Sequence, residues 1–256
     1  MLKIENLSVG FNLNTPSEKL VLKNFNLEVE NGDFIVLLGS NGAGKSTLFN
    51  ALLGSIPYVG RITLDGKKID SISQHKRANE IGVVYQDPLR GTAPNLRVFD
   101  NMLLSTRKKT FFGFKRNFRN QAKEDLMDYG LGLENQLDTC AKLLSGGQRQ
   151  ALTLYMATNY NPKLLLLDEH TAALDPKTQD TVMKITNKIV TSKKITTLMI
   201  THNLKTALEY GNRLIILNDG KVVVDLKNEA KKNATESELL AMYSKHFSDN
   251  ILFSEK

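Results

Sequence analysis

Three short stretches concentrate the groups that can handle phosphate. In "GSNGAGKS" (39–46), Gly39, Gly42 and Gly44 are spaced among Ser40, Asn41 and Ala43, and the run closes on Lys45 and Ser46, with Thr47 next. This G-x-x-x-x-G-K-S spacing lets backbone N–H groups wrap phosphate oxygens, with the lysine on the β- and γ-phosphates and the serine hydroxyl on Mg²⁺. The loop follows the apolar run "FIVLL" and opens a helix, whose positive N-terminal end favours an anion. Thr47 is placed to donate toward the α-phosphate. In "LLLLDEHTAALD" (164–175), an apolar strand delivers two carboxylates. Asp168 at the strand end is the expected Mg²⁺ holder, directly or through water. Glu169, one residue further, is the expected group that orients or deprotonates an attacking water. In "LLSGGQRQ" (143–150), Ser145, Gly146, Gly147 and Gln148 offer a hydroxyl and N–H groups at a helix start, a second anion site. One chain then holds two phosphate-binding elements but one phosphate loop, and nucleotides shared between two copies would resolve that imbalance.

The elements that must carry these groups can be traced along the chain. "LKIENLSVGF" and "NLEVENGDFIVLLG" alternate, and Asn31-Gly32 between two runs signals a hairpin. Asp65-Gly66 and Asp219-Gly220 signal two more. A helix from 44 ends at Gly54. From about residue 88 the composition turns to Arg, Lys, Phe and Asn, and helical periodicity follows through "AKEDLMDYGLG". Beyond 163, apolar strands alternate with helices that start at Asp175-Pro176 and at Asn203, the second ending at Gly211. Strands apolar on both faces that alternate with helices imply a mostly parallel sheet covered on both sides, an α/β fold. A last helix is expected near 235–247, with Thr235 and Glu238 as a capping box.

Composition narrows the function classes. The 256 residues carry 41% hydrophobic and 24% charged side chains, the balance of an ordinary soluble protein. No apolar run approaches the roughly 18–20 residues that span a bilayer, and the N-terminus alternates, unlike a signal peptide. A cytosolic chain is expected, unless a partner holds it at a membrane. The lone Cys140 excludes an internal disulfide and a multi-cysteine metal site. A net charge of +7 calls for an anionic partner: nucleotide, nucleic acid or lipid headgroup.

The phosphate loop, "LLLLDE" and "LSGGQ" together resemble the ATP-binding subunit of ABC transporters, over about residues 1–225. The resemblance implies a P-loop NTPase core (1–87 and 148–221) with an N-terminal antiparallel β subdomain. It also implies an inserted helical subdomain (88–147) and a C-terminal extension (222–256). Two cassettes would pack head to tail around two ATP molecules with Mg²⁺, so that Ser145, Gly147 and Gln148 act on the partner's γ-phosphate. Position by position, Gln86 in "VVYQDP" corresponds to the glutamine that contacts Mg²⁺ and water and senses the membrane subunit. His202 in "MITHN" corresponds to the switch histidine on the γ-phosphate, and the loop ending in Asp175 to the one that crosses the dimer interface. Phe11 sits where an aromatic stacks on adenine.

Further expectations follow from the same resemblance. The partners are a permease and, indirectly, an extracellular binding protein, at the cytoplasmic face of the cell membrane. The strings "YQDPLRGTAPNLRVFDN" and "LLLLDEHTAALDPKT" look nearest to an importer group linked to aromatic or other amino-acid uptake. His170, where proline is commoner, is read as a mark of that subgroup rather than a reagent. The segment "KKTFFGFKRNFR" is expected to touch a permease or inner-leaflet headgroups. The competing reading is a soluble ABC-type ATPase acting on DNA or ribosomes. The single cassette and an insertion too short for a coiled coil argue against it, so no nucleic-acid partner is expected. A non-hydrolysing sensor is disfavoured by the presence of both Glu169 and His202.

Overall fold

The computed structural model describes residues 1–11, 19–106 and 112–246, apart from the side chains of 112–116 and 246. The chain forms two compact units, one of residues 1–81 with 196–256 and one of 82–195.

The first unit contains an antiparallel sheet, ordered β2-β1-β4-β5, built from β1 (Leu2–Phe11), β2 (Lys19–Val29), β4 (Val59–Leu64) and β5 (Lys67–Lys68). β1 buries alternate residues, so one face packs and the other meets solvent. A second set of strands, ordered β10-β9-β3-β8, comprises β3 (Phe34–Gly39), β8 (Thr196–Ile200), β9 (Arg213–Asn218) and β10 (Lys221–Lys227). β3 and β8 are buried along their whole length, and β3 pairs in parallel with both β8 and β9. That burial on both faces is what a near-continuous apolar run requires.

The Asn31-Gly32 turn is not a hairpin, contrary to the sequence expectation. β2 and β3 belong to different sheets, because β2 alternates while β3 is apolar throughout and takes parallel partners. The turn is a corner instead: Gly32 N–H donates to Thr196 Oγ1 at 3.0 Å and Phe34 N–H to Asn212 Oδ1 at 2.7 Å. The other two hairpins form. Asp65-Gly66 joins β4 to β5 and Asp219-Gly220 joins β9 to β10, each with both residues at positive φ. Helix α1 (Lys45–Leu53) closes at Gly54 in the left-handed region. The tail adds α8 (Asn228–Lys232) and α9 (Glu236–His246), and Thr235 and Glu238 form the expected capping box.

The second unit contains most of β6 (Ile81–Val84), then α3 (Val98–Ser105), α4 (Phe112–Met127), α5 (Gly146–Thr158), β7 (Leu164–Asp168) and α6 (Pro176–Lys193). Its core joins Val98, Phe99 and Met102 of α3 to Ala122 and Leu126 of α4 and Leu152 and Tyr155 of α5. Buried Asn101 bonds the backbone of Ala93 through both ends of its amide. Much of the aromatic-basic segment lies outside the described residues. Its far end faces inward, since Phe118 packs 6.0 Å from Phe99 and Arg119 lies over Phe99 while bonding Asp138 at 2.5 Å.

Candidate functional site

In the first unit the phosphate loop hangs between the end of β3 and α1. Gly39, Gly42 and Gly44 all hold positive φ. Gly44 is constrained twice: its φ is 102°, and a Cβ there would come within 2.8 Å of Leu22 Cδ2. Gly44 caps α1 without any side-chain bond, and the first turn has no acidic residue, so neither the cap nor that turn offsets the helix's positive end. Lys45 is 6% exposed and folds over the loop, donating to Gly39 O at 2.6 Å and Ser40 O at 3.0 Å. The β9–β10 turn steadies the loop, since Gly220 N–H donates to Ala43 O at 3.1 Å. Ser46, Asn41 and Gly42 are exposed, and Ser40 and Thr47 half-buried.

At the far end of α1, Arg77 of α2 (Gln74–Arg77) donates to Ala51 O at 2.8 Å and Leu52 O at 3.0 Å. These bonds add to the Gly54 N–H, which donates to Ala51 O at 3.0 Å, and put a positive charge at the negative end of the helix.

β8 ends beside β3, with Ile200 opposite Leu37 and Thr201 N–H donating to Leu37 O. The loop after β3 and the loop after β8 therefore leave adjacent parallel strands at the same end, which brings exposed His202 to the side of residues 39–47. Asn203 caps α7 (Leu204–Glu209), accepting from Thr206 N–H at 2.9 Å. Phe11, 43% exposed, ends β1 two residues past Val9, whose strand partner Leu22 abuts Gly44.

In the second unit the same kind of strand end carries the acids. β7 buries four leucines and ends at half-buried Asp168. Glu169 then takes φ 46°, a left-handed conformation costing a non-glycine residue about 1 kcal/mol. The turn stops the strand's alternation at the carboxylate. His170 is buried, and its Nε2 bonds Thr186 Oγ1 at 3.0 Å. Thr186 gives its own proton to Val182 O, so the histidine donates. Burial pushes the imidazole down to about 4, leaving it neutral at physiological pH and tied to packing.

Ser145 and Gln148 form a reciprocal box at the start of α5. Ser145 Oγ accepts from Gln148 N–H at 3.3 Å, and Gln148 Oε1 accepts from Ser145 N–H at 3.1 Å. The Ser145 oxygen is used as acceptor, which leaves its proton for donation outward. Gly146 is exposed, and Gly147 is buried because a Cβ there would meet Thr178 Cγ2 at 2.3 Å. Thr178 belongs to the first turn of α6, which Asp175 caps by accepting from Thr178 N–H at 3.1 Å, with Pro176 at the first position. Those bonds hold the Asp175 carboxyl below its ordinary range.

Gln86 is exposed two residues past β6, in a loop stiffened by Asp87, which accepts from Leu89 N–H, and by Arg90 stacked 4.4 Å from the Tyr85 ring. Gln150, 1% exposed, donates to Tyr85 O at 3.3 Å and ties this loop to α5. Sequence reasoning passed over Gln150 and Arg77. Their types carry no motif, and only their long-range acceptors identify them.

The first unit thus assembles the phosphate loop, His202 and Phe11, and the second carries Gln86, Ser145 to Gln148, Asp168 and Glu169. Known proteins share this layout. The family profile for ABC transporters matches residues 22–172. A tyrosine transport ATP-binding protein of Clostridioides difficile strain R20291 is 44% identical over 247 residues, covering 95% of this chain and 98% of that one. A dimeric ATP-binding cassette, MJ0796, in a post-hydrolysis state with ADP and Pi, aligns at TM-score 0.75 and 28% identity over 89% of this chain and 98% of its own. The cbiO1 subunit from Clostridium perfringens, part of the ABC transporter complex cbiONQ, aligns at TM-score 0.77 and 27% identity over 96% and 95%. The chain belongs to the ABC transporter family. It is an ATP-binding cassette with a parallel-sheet core and an antiparallel sheet, and it carries the family's ATPase activity.

Proposed function

We propose that this cassette powers an importer of amino acids, aromatic ones among them, as a head-to-tail homodimer that hydrolyses ATP at two shared sites. One observation carries the reading. A single chain holds a loop on which Lys45 and a helix N-terminus without a side-chain cap converge, and a separately capped serine whose proton is left to donate. The likeness to a tyrosine transport protein along nearly both full lengths supports the cargo class. Partners are a second copy and a membrane permease, with an extracellular binding protein acting through that permease. The working location is the cytoplasmic face of the membrane. Among the described residues no helix is long and apolar enough to cross a membrane.

In this reading residues 1–87 with 148–221 hold nucleotide, 88–147 pass motion to the permease with Gln86 as hinge, and 222–256 form an extension. Lys45 bridges the β- and γ-phosphates, Gly39 to Thr47 cradle them, and Phe11 stacks on adenine. Ser46, Asp168 and Gln86 are the residues that would hold Mg²⁺, whose charge would offset that of the phosphates when bound. Among the described residues no group of three or more His, Cys, Asp or Glu could hold a metal alone. A hydroxyl, a carboxylate and an amide are oxygen donors of the kind Mg²⁺ takes, and its remaining oxygens would come from phosphate and water. Glu169 accepts the water proton as the new P–O bond forms and the β–γ bridge breaks. His202 steadies the γ-phosphate, and the partner's copies of Ser145, Gly147 and Gln148 close over it.

Glu169→Gln should retain ATP binding, lower turnover by about 100-fold or more and accumulate a closed dimer. Phosphate release and size-exclusion chromatography with ATP test this, and rapid hydrolysis by the variant removes Glu169 from its role. Tyrosine uptake by cells lacking the gene tests the cargo, and unchanged uptake sinks it.

A further inference from the structure

The C-terminal extension reaches the helix that follows His202. From α8, Lys231 turns back so that its ammonium donates to the carbonyls of Leu208 at 3.3 Å, Gly211 at 2.6 Å and Tyr210. These carbonyls lie at the last turn of α7 and just beyond it, where no intrahelical donor exists and the helix end is negative. Lys231 is 3% exposed. Burial lowers its pKa to about 8, so it remains charged at neutral pH, with its N–H groups donating to the three carbonyls. α9 also packs against α7, with Leu239 fully buried and Tyr243 nearly so. At the other end, Asn203 accepts from Thr206 N–H at 2.9 Å and gives its own N–H to Thr201 Oγ1 at 3.1 Å. His202 lies inside that turn. A helix of only six residues is marginal by itself, so its position depends on what holds its ends.

We propose that Lys231 is a positioning residue for His202, and that the extension braces α7 so that the imidazole keeps its place beside the phosphate loop. The inference rests on the reading of His202 as a γ-phosphate contact. It gives the extension a part in turnover without any contact to nucleotide. A misplacement of the order of 1 Å in a supporting element can lower a rate by up to about 100-fold, whereas binding through the separate 39–47 loop should be spared.

The test uses the full chain in four forms: Lys231→Met, Lys231→Arg, His202→Ala and the Lys231→Met/His202→Ala double variant. Steady-state ATPase kinetics and fluorescent-ATP titrations are measured on each. Lys231→Met is expected to lower kcat about tenfold and leave KM and ATP affinity within about twofold. Lys231→Arg should recover most of the loss. In the His202→Ala background, Lys231→Met should cost less than about twofold more, because both changes act through one group. Losses that multiply independently would overturn the proposal, as would an equal loss of ATP affinity. Wild-type turnover by His202→Ala would instead sink the reading of His202 itself. If Lys231→Met does not fold, Lys231→Gln, which keeps a donor for one carbonyl, enters the same cycle under the same criteria.

Discussion

Both anion-facing segments of this cassette are helix N-termini, yet they are finished in opposite ways. At α1 the cap is a glycine with no side-chain bond, so the helix N–H groups and Lys45 stay with the loop and whatever phosphate it holds. At α5 the chain closes its own helix start with the Ser145–Gln148 box, leaving a hydroxyl proton to project. The first arrangement can grip an anion unaided. The second has its Ser145 and Gln148 N–H groups satisfied by the box and adds one directed hydroxyl donor, which suits closing over a phosphate held elsewhere. The difference is a physical reason to expect affinity from the first segment and an effect on turnover from the second.

The largest expected effect tests that division directly. Lys45→Ala should weaken ATP binding by the monomer by about 100-fold, the value of a charged hydrogen bond lost on phosphate. Ser145→Ala should leave monomer binding within about twofold and slow turnover by about tenfold. Fluorescent-ATP titration beside phosphate release distinguishes the two, and a binding loss with Ser145→Ala would erase the contrast.

A second, smaller effect concerns packing. Gly147→Ala should cost roughly 1–3 kcal/mol, because the new methyl meets Thr178 Cγ2. Thr178→Ser removes that atom and should restore most of the stability in the double variant, measured by urea denaturation. Failure of the rescue would place the reason for glycine elsewhere. At α1 no such single-atom rescue is expected for Gly44→Ala, because the φ of 102° persists whatever is trimmed from Leu22.

The smallest effect is a pH dependence at the start of α6. Asp175 has a carboxyl held below its ordinary range by Thr178. Its contribution is therefore present above the unfolded pKa and is lost as pH falls through the lowered folded value. Asp175→Asn keeps an acceptor for Thr178 N–H and should flatten the acid limb of a denaturation series between about pH 5 and pH 2. An unchanged limb assigns the acid sensitivity to other carboxylates.

Local chemistry made much of this molecule legible in advance. The caps at Asp175, Asn203 and Thr235, the Asp65-Gly66 and Asp219-Gly220 hairpins and the close of α1 at Gly54 all form as read. Each is satisfied within about three residues, so the neighbours in sequence are the partners in space. Asn31-Gly32 misled because a turn dipeptide reports a change of direction, and the next strand's partners depend on which faces are buried. The conformation of the 39–46 loop was readable for a related reason: its glycines, lysine and serine lie within eight residues, and Lys45 folds back on the carbonyls of Gly39 and Ser40.

The sequence by itself determined the kind of site: a phosphate loop, two carboxylates at a strand end, and a serine-glycine box opening a helix. It also determined where α5, α6, α7 and α9 begin, since those cap signals are short-range hydrogen bonds. Tertiary structure alone decided which distant carbonyls the long polar side chains reach. Arg77 reaches back 26 residues to Ala51, Gln150 reaches 65 to Tyr85, and Lys231 reaches 20 to Gly211. It also decided that Gly147 must lack a side chain, because Thr178 fills the space. A basic or amide side chain has no intrinsic partner, and its acceptor is whichever carbonyl the folded chain brings within reach.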